Sequence, residues 1–457
     1  MPLGQPARRG RGPGHAKIEE RLLLSARWVV PVEPAGAVLE NHAVAVRDGA
    51  IERVLPASEA LDAFPDYERV ELADHVLIPG LVNAHTHAAM SLMRGLADDL
   101  PLMRWLQEHI WPVETKHVSP RFVSDGTALA CAEMLRGGIT CFNDMYFYPE
   151  AALEAAQSAG MRAALGLIVI DAPTAYASDP ADYLRKGLAL RDRYREHPLV
   201  SFCLAPHAPY TVSDATFRQV ATLAAELDLP VHVHLHETEH EIERSVAEHG
   251  ARPLERLRRL GLLGPGLIAV HCVHLEPGEI ELLARHGCSV VHCPSSNLKL
   301  ASGFSPVEKL RAAGVNLALG TDGAASNNRL DLFAEMRMAA LLAKAVARDA
   351  QAMPAHAVLH VATLGGARAL GLGDRIGSIV PGKSADLVAV ALRGPELAPC
   401  YDPVSHLAYA AGREHVTHVW VDGEARVLDG KLHNSALSGL NTSWQIWQNA
   451  LGSRADS

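Results

Sequence analysis

The chain has 457 residues, of which 48% are hydrophobic, and it carries a net charge of −10. This length fits one large barrel with a smaller companion domain, and the acidic balance argues against nucleic acid or an anionic membrane as the main partner. No apolar run approaches the roughly 20 residues that cross a bilayer.

The N-terminal segment, residues 1–17, begins MPLGQPARRGRGPGH and is basic and rich in Gly and Pro. It lacks the apolar stretch of a secretory signal, so we expect a disordered tail. The seven cysteines are odd in number and include no C-x-x-C pair. This pattern argues against a disulfide framework or a structural zinc knuckle and predicts a cytoplasmic location.

Both flanks of the chain have the pattern of β-strands. Residues 18–76 contain RLLLSARWVVPV and AVAVRDGAIERVLP, with an Asp-Gly turn at 48–49. Residues 376–457 contain IGSIVPGKSADLVAV and HVTHVWVDGEARVLDGKL, with a second Asp-Gly turn at 422–423. We expect the two ends to meet in space as one small β-sandwich domain.

Between the flanks, residues 77–375 alternate short apolar runs with longer amphipathic segments of helical spacing. The apolar runs are HVLIPGLVNA, ITCFNDM, MRAALGLIVI, LVSFCLAP, PVHVHLHE, LIAVHCVH, CSVVHCP and VNLALGTD. Eight buried strands, each followed by a helix, predict an α/β fold of the (β/α)8 barrel type, like the TIM barrel. A doubly wound open sheet is the alternative, because periodicity alone does not show closure.

Two histidines follow the first apolar run of this region. His85 and His87 in GLVNAHTHAAM have the spacing i, i+2, which directs both rings to one face of a strand. Active sites of barrels lie at the carboxyl ends of the strands. Two imidazoles at such an end can supply half of a metal site.

Three more histidines alternate along the fifth run, PVHVHLHET. His232, His234 and His236 are predicted to share one strand face, and Glu237 follows at once. A site at the carboxyl end of the strand favours the later members. We interpret His232 as a hydrogen-bonded core residue.

The sixth and eighth runs also end in polar groups. His271 ends the strand in LIAVHCVH, with His274 one turn further out, and Asp322 ends LALGTD. Burial of an acid directly after an apolar run is costly unless the acid is paired or bound to a metal. Strands one, five, six and eight therefore predict one metal centre at the C-terminal face of the barrel.

Four motifs, PGLVNAHTH, HVHLHET, AVHCVH and LGTDG, resemble those of the amidohydrolase superfamily, and the resemblance covers nearly the whole chain. The segments MSLMRGLADDLPLMRWLQEHIWPVE and APHAPYTVS resemble the subgroup of 5-methylthioadenosine/S-adenosylhomocysteine deaminases, which is related to the triazine chlorohydrolases and deaminases.

The resemblance implies one divalent metal ion per chain. Its ligands would be His85, His87, His234 and Asp322. Zn²⁺ is the first expectation for imidazole and carboxylate ligands, and Fe²⁺ suits the same set. Two-metal members of the superfamily bridge their ions with a modified Lys on a middle strand. The third and fourth runs here contain no Lys, which favours a single ion.

The resemblance also implies the remaining site residues. Glu237 and His271 would handle protons, and Asp322 would be both ligand and base. The expected substrate contacts are Glu114 at the ribose hydroxyls, His207 in APHAPY, Trp105 in the pocket wall, and Glu237 and Asp322 at the reacting ring.

The function implied is hydrolytic deamination. Metal-activated water would convert the 6-amino group of an adenine nucleoside (5-methylthioadenosine, S-adenosylhomocysteine or adenosine) to the 6-oxo product and ammonia. The partner would be this small molecule, with no nucleic acid and no membrane, and the family suggests a homo-oligomer. The chain lacks the P-C-x-x-C element of the cytidine-deaminase zinc site.

Two other functions are compatible with these motifs. A guanine or triazine deaminase or chlorohydrolase would share the metal site and differ in the pocket. A catalytically inactive barrel that serves as a scaffold is the second alternative. The filled ligand positions argue against the scaffold.

Overall fold

The computed structural model describes residues 21–433 and 440–452. The expected disordered tail, residues 1–17, lies outside the described residues. Those ranges contain sixteen strands: β1 (Arg21–Val29), β2 (Leu39–Arg47), β3 (Ala50–Pro56), β4 (Glu68–Pro79), β5 (Leu81–Thr86), β6 (Ile139–Met145), β7 (Arg162–Val169), β8 (Val200–Pro206), β9 (Val231–Leu235), β10 (Leu267–His271), β11 (Ser289–His292), β12 (Asn316–Leu319), β13 (Leu387–Ala391), β14 (Val416–Val421), β15 (Glu424–Leu428) and β16 (Lys431–Leu432).

The helices occupy the connections between these strands. In the described part of the chain they are α1 (Ala57–Ala63), α2 (Leu102–Trp105), α3 (Trp111–His117), α4 (Pro120–Arg136), α5 (Pro149–Ala159), α6 (Pro180–Tyr194), α7 (Asp214–Leu227), α8 (Glu239–His249), α9 (Pro253–Arg259), α10 (Pro277–Arg285), α11 (Pro294–Lys299), α12 (Val307–Ala312), α13 (Ala324–Asn327), α14 (Leu332–Ala347), α15 (Ala355–His360), α16 (Gly366–Ala369), α17 (Pro403–Tyr409) and α18 (Leu440–Gly452).

One sheet of eight described strands is built from both chain ends, in the order β16-β15-β14-β13-β4-β1-β2-β3. The ends meet where β13 pairs antiparallel with β4. Asp48 and Gly49 both have positive φ, at 51° and 79°, as do Asp422 and Gly423, at 53° and 82°. Tight hairpins of this kind require positive φ at both central residues, so both predicted Asp-Gly turns are present.

The second sheet has β5 to β12 in consecutive order, and every neighbouring pair is parallel. Its first and last strands, β5 and β12, approach each other where the barrel closes. There the backbone N–H of Asp322 donates to the carbonyl of His85 over 3.1 Å. The side chain of Asn83 also accepts from the N–H of Thr321 over 3.0 Å. The consecutive order and this contact confirm the barrel and exclude the doubly wound sheet.

Side-chain caps begin several of the barrel helices. The hydroxyl of Ser213 accepts from the N–H of Thr216 at the start of α7, and Thr238 accepts from Glu241 at the start of α8. Such caps satisfy N–H groups that lack a partner in the first turn. The caps therefore fix the points at which α7 and α8 begin, at Asp214 and Glu239.

Gly80 alone separates β4 in the first sheet from β5 in the barrel. The run HVLIPGLVNA, predicted as the first barrel strand, is thus divided between the two sheets. A Cβ atom at Gly80 would lie 2.0 Å from Oγ1 of Thr140. Only glycine fits this close approach without displacing its neighbour.

A buried ion pair also joins the two sheets. Arg162 at the start of β7 donates from Nε and Nη2 to the two carboxylate oxygens of Asp386, over 2.9 Å each. Its Nη2 also donates to the hydroxyl of Ser384 over 3.0 Å. Bidentate pairs of this kind combine charge with fixed geometry, so this pair holds the barrel against the flanking sheet.

All seven cysteines lie within the described residues, and each is a free thiol. Among the residues described, no helix has both the length and the apolar character that a membrane span requires. The predicted domain boundaries, residues 18–76 with 376–457 and residues 77–375, stay a prediction.

Candidate active site and metal centre

A cavity of about 740 Å³ opens at the carboxyl ends of the barrel strands. Residues at or near the carboxyl ends of β6, β7, β9 and β10 contribute to its wall, together with the helical segment that contains α2 and α3. The predicted site residues that line it are His87, Trp105, Glu114, His207, His234, Glu237, His271 and Asp322. His85 lies beneath them and is fully buried.

Three of the predicted ligands form one group with the geometry of a metal site. The ligating atoms of His85, His87 and Asp322 lie within 4.8 Å of one another. Oδ1 of Asp322 is 3.2 Å from Nε2 of His85 and 3.3 Å from Nε2 of His87. Side chains from the first and last barrel strands thus meet where the barrel closes.

The fourth predicted ligand, His234, belongs to a second group that shares His85. The ligating atoms of His85, His234 and His271 also lie within 4.8 Å of one another. The rings of His234 and His271 are stacked, with centroids 5.5 Å apart. The four predicted ligands therefore belong to two groups that share His85, and His271 is part of the second group.

Backbone carbonyls fix the tautomers of two of these imidazoles. Nδ1 of His87 donates to the carbonyl of Met145 over 2.6 Å, and Nδ1 of His234 donates to the carbonyl of His207 over 2.7 Å. A carbonyl can only accept, so the hydrogen of each neutral ring is on Nδ1. Against the effect of burial, the Asp322 carboxylate raises the pKa of His87 to about 9. Metal binding requires the neutral ring, whose Nε2 then presents a lone pair.

The two ring nitrogens of His85 also differ in their surroundings. Its Nδ1 lies 3.0 Å from Nε2 of His232. Its Nε2 is buried and has no hydrogen bond of standard geometry among the described residues, although Oδ1 of Asp322 is close. A buried nitrogen left without a partner beside a carboxylate is expensive unless a cation binds there. The residues present therefore fit a divalent metal ion.

Two hydroxyl groups orient the carboxylate of Asp322. Oδ2 accepts from Ser296 over 2.6 Å and from Ser326 over 2.7 Å, which leaves Oδ1 to face His85 and His87. Burial by itself raises the pKa of the Asp322 carboxyl, but the nearby imidazoles of His85 and His87 hold that pKa well below the usual range. Asp322 is therefore ionised at neutral pH.

Glu237 and His271 face each other across the cavity floor. Oε2 of Glu237 lies 3.8 Å from Nε2 of His271. Burial raises the pKa of the Glu237 carboxyl and so favours its protonated form. Nδ1 of His271 lies 2.8 Å from Oδ1 of Asn297. This arrangement suits proton transfer to and from a bound molecule.

Glu114 lies on the wall of the cavity, on the helical segment that runs from α2 through a π-helical turn (Leu106–Ile110) into α3. The hydroxyl of Tyr146 donates to Oε1 of Glu114 over 2.7 Å. Burial raises the pKa of the Glu114 carboxyl to about 7, against the opposing effect of this hydrogen bond. A carboxylate held by one oxygen keeps the other available to a ligand.

Trp105 and His207 complete the predicted substrate contacts. Trp105 lies on the same helical segment as Glu114 and donates from Nε1 to the carbonyl of Ala97 over 3.1 Å. Nδ1 of His207 lies 2.9 Å from the hydroxyl of Thr211. Burial lowers the pKa of His207 to about 3, so its ring is neutral.

Two histidines of the sequence motifs lie elsewhere, and the expectation that His236 shares a face with His234 is wrong. Strand β9 ends at Leu235, and His236 has φ of 55°, which turns its ring away from the cavity. Its Nε2 accepts from the N–H of Leu254 over 2.9 Å. His274 is bonded through Nε2 to the carbonyl of Ser302.

Several side chains that orient the site are not among the predicted site residues. Ser296 and Asn297 lie on α11, directly after β11, and Ser326 lies on α13, directly after Asp322. Tyr146 follows the last residue of β6. Their position in the sequence could have identified them, because polar residues that directly follow barrel strands lie at the C-terminal face of the barrel.

Comparisons with known proteins give a consistent result. The profile of the Amidohydrolase family matches residues 76–426. A 5-methylthioadenosine/S-adenosylhomocysteine deaminase of Saccharophagus degradans is 48% identical over 432 residues, which cover 94% of this chain and 97% of that protein. The protein of the same name from Teredinibacter turnerae is 48% identical over 434 residues, which cover 94% and 98%.

Solved structures are similar as well. An adenosine deaminase from Xanthomonas campestris with bound zinc has 53% sequence identity and a TM-score of 0.92, over 94% of this chain and 98% of that chain. An atrazine chlorohydrolase from Arthrobacter aurescens, complexed with zinc, has a TM-score of 0.88 at 22% identity, over 93% and 99%. At that identity the second likeness concerns the fold alone.

Proposed function

The chain belongs to the amidohydrolase family and is a hydrolytic deaminase, and from that premise we propose that it removes the 6-amino group of adenine nucleosides. The proposed substrates are 5-methylthioadenosine, S-adenosylhomocysteine and adenosine, and the products are the 6-oxo nucleoside and ammonia. One observation carries the proposal. A metal-binding group and a partly buried carboxylate suited to a sugar diol line the same cavity.

We propose that His85, His87, His234 and Asp322 hold one divalent ion. Zn²⁺ is the expected ion, because the adenosine deaminase at 53% identity was solved with zinc. Fe²⁺ accepts the same donors. When bound, such an ion lowers the pKa of a water molecule from about 15.7 to about 7 and so supplies a nucleophile near neutral pH.

Asp322 and Glu237 would share the proton transfers. Asp322 is ionised at neutral pH and can take a proton from the attacking water. Glu237, whose pKa burial raises, can hold a proton and donate it to the ring nitrogen next to the carbon that is attacked. The proton that Asp322 took then passes to the amino group, and the C–N bond breaks to release ammonia. The hydroxyl on the ring carbon gives its proton to Glu237 as the 6-oxo group forms.

His271 would orient the attacking oxygen. Its Nδ1 is engaged with Asn297, so Nε2 is the nitrogen that faces Glu237 and the cavity. An imidazole fixed in this way can accept or donate a hydrogen bond at one defined position. Orientation of this kind is a substantial part of catalysis.

Glu114 would distinguish nucleosides from free bases. A carboxylate can accept hydrogen bonds from both hydroxyl groups of a ribose diol. An analogue without the diol would leave the other oxygen of this partly buried carboxylate without a partner, which a site of this kind penalises. The hydrogen bond from Tyr146 supports this role, because it fixes one oxygen of Glu114.

Apolar side chains supply much of the remaining wall of the cavity. Ile168, Ile170, Phe147 and Tyr176 line it. A methylthio group is apolar, so such walls favour 5-methylthioadenosine through the burial of apolar surface. Trp105 and His207 would contact the purine or the sugar.

Ammonia release from a panel of compounds tests the proposal. The panel contains adenosine, 5-methylthioadenosine, S-adenosylhomocysteine, guanine and an amino-triazine. We expect the highest kcat/KM with one of the three adenine nucleosides and conversion to the 6-oxo product. Faster turnover of guanine or of the triazine would replace the nucleoside assignment with the alternative named above.

We also propose that the protein is a cytoplasmic homo-oligomer whose partner is the small-molecule substrate alone. The net charge of −10 supports the absence of nucleic acid and membrane partners. The mass of the native protein by light scattering would test the oligomer. A monomer at micromolar concentration would contradict it.

A further inference from the structure

His232 is the one buried histidine of β9 to which the proposed mechanism gives no part. It is fully buried beneath the metal centre. Its Nε2 lies 3.0 Å from Nδ1 of His85, and its Nδ1 has no hydrogen-bond partner among the described residues.

The hydrogen positions of this pair follow from the role of His85. A neutral imidazole has one N–H and one lone pair. If Nε2 of His85 is to bind a cation, its hydrogen must be on Nδ1, which then donates to Nε2 of His232. The hydrogen of His232 is therefore on its own Nδ1, where no acceptor is present in the described structure.

This arrangement is unfavourable for a residue with only a packing role. A buried donor without an acceptor loses its hydrogen bond to water and gains none in return, and an apolar side chain of similar size would avoid that cost. His232 is therefore better explained by its bond to His85 than by core packing.

We propose that His232 is a positioning residue for the metal centre, which accepts the hydrogen bond from Nδ1 of His85 and so directs Nε2 of His85 at the ion. The inference rests on the proposed function for the identity of the ligands. Partners of this kind fix both the tautomer and the orientation of a metal-binding imidazole.

His85 differs in this respect from the other two imidazole ligands. The acceptors for His87 and His234 are backbone carbonyls, those of Met145 and His207. The acceptor for His85 is a side chain, so it is the orienting bond that a substitution can remove.

The chain offers a matched control in His292 on β11. It is also buried, at 2% exposure, and neither of its ring nitrogens has a hydrogen-bond partner among the described residues. A substitution there changes a buried imidazole of the barrel interior without removing a bond to a proposed ligand.

The experiment compares H232L, H232Q and H292L with the wild type. Leucine removes the acceptor, whereas the amide oxygen of glutamine restores one at similar reach. The affinity of each metal-free protein for Zn²⁺ is measured by competition with a chromogenic chelator, and the absorption spectrum of the Co²⁺ form reports the ligand geometry. Should H232L fail to fold, H232A removes the same acceptor and is measured in the same way.

We expect H232L to bind Zn²⁺ about 10- to 100-fold more weakly than the wild type and to have an altered Co²⁺ spectrum. H232Q should recover most of the affinity, and H292L should match the wild type. Wild-type affinity in H232L, an equal loss in H292L, or no recovery in H232Q would overturn the proposal. Because these measurements use no substrate, a protein that binds Zn²⁺ but deaminates no nucleoside would refute the proposed function alone.

Discussion

Oδ1 of Asn297 lies 2.8 Å from Nδ1 of His271, although the two residues are on different elements, α11 and β10. An imidazole with an acceptor fixed at Nδ1 presents Nε2, with its lone pair, to the opposite side. The cavity and the carboxylate of Glu237 lie on that side. The proposed proton-handling pair therefore depends on an amide that does not line the cavity.

The first prediction follows from this bond. We expect Asn297→Ala to lower kcat for 5-methylthioadenosine roughly 10- to 100-fold, with a smaller change in KM, because His271 loses its fixed tautomer. Asn297→Asp keeps an acceptor and should retain more activity than the alanine variant. Steady-state kinetics check this, and equal activity in N297A and the wild type would contradict it.

The second prediction concerns Glu114. Hydrogen bonds to a charged group contribute about 1.5–3 kcal/mol, so Glu114→Gln should lower kcat/KM for 5-methylthioadenosine about 10- to 150-fold. Adenine has no diol, and its slower deamination should be nearly unaffected. Equal losses on both compounds would remove the assignment of Glu114 to the ribose.

The third prediction is a pH dependence. Burial raises the pKa of Glu114 to about 7. Because the ionised carboxylate binds the diol, the ratio of kcat/KM for 5-methylthioadenosine to that for adenine should fall as the pH decreases through about 7. Use of the ratio cancels the pH dependence that both substrates share.

Two variants check the origin of that dependence. The hydrogen bond from Tyr146 lowers the pKa of Glu114, so Tyr146→Phe should move the midpoint to higher pH. In E114Q the dependence of the ratio should disappear, since the amide does not titrate. A midpoint that persists in E114Q would assign the titration to another group.

The fourth prediction concerns metal removal. Dialysis against a chelator should abolish ammonia release, and stoichiometric Zn²⁺ should restore it. The far-ultraviolet circular dichroism of the metal-free protein should change little, because the apolar core extends through the whole barrel and does not depend on the ligands. Metal-free protein that keeps full activity would contradict the proposed centre.

The fifth prediction concerns stability. Removal of one partner of a buried ion pair costs about 3–5 kcal/mol, because the other charge stays buried. Asp386→Ala should lower the free energy of unfolding by about that amount, as measured in urea. Arg104→Ala disrupts the exposed pair of Arg104 and Glu108, with side chains 62% and 53% exposed, and should cost about 0.5 kcal/mol or less. Similar losses in the two variants would contradict the role of the buried pair.

The barrel strands could be predicted because each is a buried apolar run. The run ITCFNDM coincides with β6, Ile139–Met145. The ends of the strands were harder to predict. The run PVHVHLHET predicts a strand that includes His236, but φ is 55° at His236 and β9 ends at Leu235. The pattern of apolar residues in the sequence carries no information about such a local change in backbone conformation.

The ligand histidines could be predicted from their position after strands, but their orienting partners could not. Two of those partners are carbonyl oxygens, of Met145 and His207, and every residue has a carbonyl. The interpretation of His232 as a hydrogen-bonded core residue was right about its hydrogen bond and could not identify the partner, which comes from a strand 147 residues away in the chain.

The crossing at Gly80 has a consequence for any attempt to rebuild this protein. His85 lies five positions after that glycine in the same extended segment, so the flanking sheet sets its register. Side chains on a strand alternate between faces, and a slip of one residue reverses them all. In a chimera that joins a foreign flank to this barrel, a single extra residue between β4 and β5 would shift this register. The imidazoles of His85 and His87 would then point at the surrounding helices. The flank and the barrel must therefore be exchanged as one piece.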